Sequence, residues 1–359
     1  MNPWHAFLTT QTAHIIESNA TQFAHIEHFG KPLDELQAIN AHAGNTQDII
    51  TDLSHLALLE VSGDDAKTFL QGQVTNDVMQ LTGNNSQFAG YCTPKGRLLA
   101  LFQAFAHKDH LHLQFNRTLL ESIAKRLKMY VMRSKVMIKD VSDEIIRIGV
   151  AGTGVEAKLN AFFAQDPQLT ILPQQANGLI DLSNAVILRL AGELPRYEVF
   201  TSLEQATALW SAFTNQATVA VGKPVWDYLE INVGIPDVTP ATQEAFVPQM
   251  INLDALNGIN FKKGCYTGQE IVARTHYLGK VKRRTLIANI NSTVAPQVGD
   301  VLTGTDGAEA GQLVRVAAAP RGGFDVLAEV RLDSKDLGEI KWQGVAIDFK
   351  EMPYIFPEK

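Results

Sequence analysis

Apolar positions recur along this chain at two spacings, every second residue in short runs and every third or fourth in longer ones. The two alternate from Ile49 to about residue 235, which predicts an α+β core. Residues 56–61 read as a strand, and Ser62-Gly63-Asp64-Asp65 then starts a helix whose apolar face includes Phe69 and Leu70. Residues 87–92 and 97–106 flank Thr93-Pro94-Lys95-Gly96, where Pro second and Gly fourth suit a type I turn, so the pair forms a hairpin. A turn at Lys108-Asp109 leads to a third strand over 110–115, and a helix follows over 119–129. After Arg284 the rhythm changes to short strands at 285–290, 311–318, 324–330 and 345–349, separated by turns such as Gly322-Gly323. Evenly spaced short strands predict a small β-barrel or sandwich.

Ahead of Ile49 the pieces Phe7-Leu8, Ile15-Ile16 and Phe23 with Ile26 have helical spacing. The expected organisation is a helical lead-in over 1–47, a first α+β module over 48–142, a second over 143–280 and a barrel over 281–359. Six of the ten histidines lie between His5 and His55 without metal-motif spacing or a cysteine beside them, which favours solvated or capping roles. His107, His110 and His112 sit at a hairpin mouth, where alternate strand residues face opposite ways.

Composition narrows the class. Hydrophobic residues make up 45% and charged residues 19%, a balance that excludes a disordered chain. No apolar run reaches the roughly 20 residues of a membrane span, and Met1-Asn2-Pro3-Trp4-His5 lacks the layout of a secretory signal, so a cytoplasmic location without membrane partners is expected. Two cysteines, Cys92 and Cys265, cannot build a disulfide framework. The net charge of −7 is segregated. Residues 125–139 hold six basic residues and no acid, and residues 262–284 hold seven against Glu270 alone, so each segment carries +6 and the remainder −19. Such a distribution can attract a polyanion to one face, or it can be two solvated faces that never meet.

The chemistry concentrates in Asn260-Phe261-Lys262-Lys263-Gly264-Cys265-Tyr266-Thr267-Gly268-Gln269-Glu270. Thr267 and Glu270 have capping-box spacing, which predicts a helix over 268–278 with Thr267 as N-cap and Gly279 as a left-handed stop. Cys265 then lies near a helix N-terminus beside Lys262 and Lys263, surroundings that favour thiolate and a nucleophilic or redox-sensitive sulfur. The alternative is a small buried thiol in a tight loop. No histidine adjoins it to act as a base.

This stretch, with Arg274, resembles the signature of the YgfZ family, folate-binding proteins linked to tRNA modification and iron-sulfur protein maturation. Phe69-Leu70-Gln71-Gly72-Gln73-Val74-Thr75-Asn76-Asp77, Pro94-Lys95-Gly96-Arg97, residues 130–136, Gly234-Ile235-Pro236, Pro248-Gln249, Asn252-Leu253 and Gly258-Ile259 extend the resemblance over roughly residues 50–350. It implies the fold of the glycine cleavage system aminomethyltransferase: two α+β modules around a central folate-binding hole, plus a carboxy-terminal β-barrel. It also implies tetrahydrofolate as ligand, and iron-sulfur proteins or their assembly factors, tRNA or tRNA-modifying enzymes as partners. Arg189, Gly192 and Tyr197-Glu198 resemble a thinned form of that enzyme's folate segment. Glu198 is thereby a bidentate acceptor for the pterin, or else an exposed strand carboxylate. Trp226 aligns with a folate-contacting tryptophan, and its alternative is core packing. The second aromatic contact of some relatives falls on Leu56.

One departure bears on mechanism. Where the aminomethyltransferase carries an aspartate after its first hairpin turn, this chain has Lys95-Gly96-Arg97, and a cation cannot serve as acceptor or base. Classical aminomethyl transfer is therefore disfavoured. The leading expectation is a folate-binding maturation factor with Cys265, Lys263 and Arg274 as its functional surface. A one-carbon transferase drawing its carboxylate from Asp77, Glu198 or Glu230 is the second. Direct RNA binding through the basic segments is the third.

Overall fold

The computed structural model describes residues 2–19, 22–40, 46–277 and 279–357. Contacts divide the chain into two units, each assembled from separated segments. The first comprises Met1–Ala66, Gln80–Gln87 and Ala104–Trp226, and the second Lys67–Met79, Phe88–Gln103 and Asp227–Lys359.

The first unit is organised by a six-stranded sheet whose order is Leu179–Asp181, Ala185–Arg189, Arg196–Thr201, Ile146–Ala151, Ile49–Asp52, Val219–Val221. All its pairings are antiparallel except the last. Strand Ile146–Ala151 is buried at every position. Its even-numbered residues Ile146, Ile148 and Val150 join Val199, Trp210 and Phe213 in the main core, which helices Pro3–Thr10, Val155–Phe162 and Leu203–Thr214 help to fill. Trp4 meets Trp210 edge-on at 5.6 Å. The opposite face carries a smaller cluster of Leu58, Phe105, Val141, Leu179, Val186, Leu188 and Phe200. A five-stranded sheet runs Ser86–Cys92, Leu98–His107, His110–Asn116, Leu56–Ser62, Met137–Asp140. Its first two strands form the expected hairpin: Gly96 N–H donates to Thr93 O at 2.9 Å, and Gly96 takes φ +67°. In the second unit, six strands close into a barrel that includes Arg283–Ile290, Glu309–Ala318, Phe324–Arg331 and Val345–Phe349, around a core of Leu286, Ala328, Val330 and Trp342. Among the described residues no helix is long and apolar enough to cross a membrane.

Among its described residues the lead-in is α-helical at Pro3–Thr10 and Pro32–Gln37 only. Between them His14–Ile16 and His25–His28 pair as an antiparallel ribbon, with Ile15 opposite Ile26 and the His14 and His28 rings stacked at 4.7 Å. Runs of three and four residues are too short for periodicity to separate strand from helix, and β-branched Ile15 and Ile26 favour the ribbon. Of the early histidines His14 is exposed and His28 accepts from Gly30 N–H in a capping role, whereas His5, His25 and His55 are buried, with His5 bonding Ser54 Oγ at 2.8 Å. His42 lies outside the described residues.

The hairpin-mouth histidines pair with acids: His107 with Asp181 at 2.9 Å and His110 with Glu60 at 3.1 Å. His112 is buried, stacks on Phe105 at 5.1 Å and leaves Nδ1 without a partner. Burial pushes its imidazole down to about 3. An unfolded histidine holds its proton up to about pH 6.5. Between those values the unfolded chain binds more protons, so stability falls as pH drops through this window. His112→Phe is expected to remove about 2 kcal/mol of that loss at pH 5. Melts at pH 7.5 and 5 compare the two proteins, and an equal acid shift in both contradicts the assignment.

Candidate functional site

The Asn260–Glu270 motif, sequence-distant from its partners, is held by the 71–77 loop of the same unit. Lys263 is buried, and its ammonium donates to Val74 O at 2.6 Å, Gln71 O at 2.7 Å and Asn76 O at 2.8 Å. Burial pushes this amine down to about 8, against the opposing pull of Asp77. The loop is fixed in turn. Thr75 Oγ1 donates to Gly258 O, Asn76 Nδ2 donates to Phe88 O and Asn257 O, and Asn260 N–H donates to Thr75 O. Lys263 thus spends its donors on backbone, and the geometry makes it an anchor.

The hairpin turn supplies the second support. Gly268 has φ +85°, and a Cβ there would stand 2.5 Å from Thr93 O and 2.9 Å from Gly96 Cα. Two glycines therefore let the Thr93–Gly96 turn lie directly against the motif. The helix beyond begins at Gln269 and runs to Tyr277. Its first intrahelical bond, Val272 N–H to Gly268 O, makes Gly268 the N-cap in place of Thr267. Gly279 bonds Arg274 O at 3.1 Å without a left-handed φ, and Leu278 lies outside the described residues. Gln249, fully buried, donates to Val272 O at 2.8 Å.

Cys265 is exposed on this braced loop, between buried Lys263 and buried Tyr266. The other thiol, Cys92, is buried and pushed up to about 12, so it stays protonated and inert. Arg274 is exposed on the following helix. Of the seven basic residues in 262–284, Lys263 is anchored, Arg283 pairs with Glu329 at 3.0 Å and Arg284 with Asp254 at 2.6 Å. Lys262, Arg274, Lys280 and Lys282 remain exposed. In the first basic segment Lys135 pairs with Asp64 and Lys139 with Glu144.

Glu198 and Trp226 are brought together in the first unit. Glu198 lies opposite Gly149, and Gly149 lies opposite Thr51, a row across three strands. Trp226 rests on this row: a Cβ on Gly149 would meet its ring at 2.7 Å and Thr51 Cγ2 at 2.9 Å. Arg196, two residues before Glu198, sets its guanidinium 4.8 Å from the Trp226 ring centroid. Glu198 is buried, which corrects the alternative of an exposed strand carboxylate, and accepts from Gln114 Nε2 at 2.7 Å. Gln114 Oε1 and the Nε of fully buried Arg147 are buried without partners. Trp226 is itself buried.

A family model described as "GCVT N-terminal domain" matches residues 4–259. The "tRNA-modifying protein YgfZ" of Colwellia psychrerythraea is 34% identical over 254 residues, 70% of this chain and 75% of that protein. Its namesake from Yersinia pestis (strain Pestoides F) is 33% identical over 253 residues, covering 70% and 74%. The chain belongs to the YgfZ family. The crystal structure of glycine cleavage system aminomethyltransferase T from Bartonella henselae superimposes with a TM-score of 0.73 at 15% identity, over 98% of this chain and 97% of that one. The fold is thus aminomethyltransferase-like, with two α+β parts and a barrel, as the motifs implied.

Within the YgfZ frame, reasoning from sequence missed Gln114, Arg196 and Gly149. Gly149 was open to reading, since a glycine inside the apolar strand Ile146–Ala151 signals close approach of another group. At the expected aspartate position, Arg97 donates to Ala245 O at 2.6 Å.

Proposed function

We propose that this YgfZ-family chain is a tetrahydrofolate-binding accessory protein that supports tRNA modification and iron-sulfur protein maturation, with Cys265 as its functional thiol. The observation carrying this reading is the loop that exposes Cys265 while burying the residues that hold it. A thiol so displayed meets a macromolecular partner without entering a cleft. Lys263 serves it by fixing the loop, and Arg274 offers an exposed cation on the helix that follows.

For folate, the acceptors of the first unit fit a pterin. Glu198 and the unpartnered Gln114 Oε1 are adjacent acceptors suited to the donor edge formed by a ring N–H and an exocyclic amine. Trp226 beneath Arg196 supplies the aromatic wall. When bound, tetrahydrofolate supplies nitrogens that carry one-carbon units.

Cys265→Ala in a deletion strain is expected to leave folate binding intact and to reduce products of iron-sulfur-dependent tRNA-modifying enzymes several-fold. Modified nucleosides are quantified in bulk tRNA. Wild-type levels with the alanine variant would overturn the role of the thiol.

A further inference from the structure

Beside the Cys265 loop three rings form one surface cluster. Phe261 stacks on His276 with centroids 3.7 Å apart and 12° between planes. Tyr277 stands edge-on to both, 4.7 Å from His276 and 6.2 Å from Phe261. Such stacking fixes the rings while leaving Tyr277 64% exposed. Along the same stretch of chain, Lys262, Arg274, Lys280 and Lys282 are all exposed and, among the described residues, without an acidic partner. Glu270 is the one acid in this stretch.

A fixed aromatic face on a stretch of chain rich in exposed cations is the chemistry that holds an unpaired nucleic-acid strand, with a base on the ring and phosphates on the basic side chains. An acidic protein segment would satisfy the cations but leave the exposed phenol ring without a planar partner. A duplex would offer phosphates and keep its bases stacked away. We infer that Phe261, His276 and Tyr277, with Lys262, Arg274, Lys280 and Lys282, bind a single-stranded segment of RNA beside Cys265. The choice of RNA among polyanions rests on the tRNA part of the function proposed above.

The test uses the full chain and fluorescent oligo(rU) and oligo(rA) of about 12 nucleotides, with an RNA duplex of equal length and a poly-glutamate peptide as comparisons. Expected is binding of the single strands, with log K falling against log salt at a slope close to −3, since each single-strand phosphate contact contributes about −0.7. Tyr277→Ala is expected to weaken binding about tenfold, and Tyr277→Trp to restore it. The double variant Lys280→Gln, Lys282→Gln lowers the slope by between one and two units. Tyr277 is exposed, so its variants should melt as the parent does, which a thermal scan verifies. No binding at low salt, indifference to Tyr277→Ala, or equal binding of duplex or poly-glutamate each overturns the inference. The parent reading fails separately, if a deletion strain keeps normal tRNA modification while the oligonucleotides still bind.

Discussion

Replacing Lys263 by methionine is expected to cost about 3 kcal/mol or more, because three backbone carbonyls at 2.6–2.8 Å lose their donor together. Methionine preserves the unbranched stem and its packing, so the loss reports the ammonium alone. In a chain of this size the melt of the unit holding the motif should fall by about 10 °C. Arginine should recover only part of this, since its planar fork cannot converge on three acceptors from a single nitrogen. Thermal scans and hydrogen exchange at residues 71–77 check the result. A melt and exchange pattern like the parent's would show that the carbonyls find water instead, and the anchor reading would be wrong.

The second large effect is expected at Gly149. Alanine there places a Cβ 2.7 Å from the Trp226 ring and 2.9 Å from Thr51 Cγ2, both within a packed interior. The indole must then move off the Glu198 row or the strands must part, at a cost of about 1–3 kcal/mol. Because Trp226 sits between Arg196 and the position paired with Glu198, the displacement should also lower tetrahydrofolate affinity at least tenfold. Titration with tetrahydrofolate reads the affinity, and a melt reads the stability. Glu198→Gln separates the two, since it keeps the packing while removing a charged acceptor. Unaltered folate affinity in Gly149→Ala would detach Trp226 from the binding site.

What was legible in the sequence follows from how far each determinant reaches. Strand 345–349 and the 93–96 turn were read at their observed positions, because alternation and turn chemistry act over a few residues. The Thr267 cap was misplaced by one residue because the local Thr-x-x-Glu rule competes with a close approach of Gly268 to Gly96, which no local pattern encodes. The motif pointed to Cys265, and the structure leaves it exposed. Nothing in Lys263 itself announces three carbonyl acceptors, since a backbone oxygen has no sequence signature. Glu198 was named by the resemblance, but its partner Gln114 and the approach of Arg196 to Trp226 were hidden, because these contacts join elements that meet only in the folded unit.

The Lys263 anchor also sets an order of events during synthesis. Its carbonyl partners precede it by 187 to 192 residues. On the ribosome the 71–77 loop therefore emerges, and the hairpin over 86–107 can close, long before the residue that locks them exists. At about 5–20 residues per second the loop waits some ten seconds or more for its cation. Truncations ending before residue 263 leave that loop without the cation that locks it.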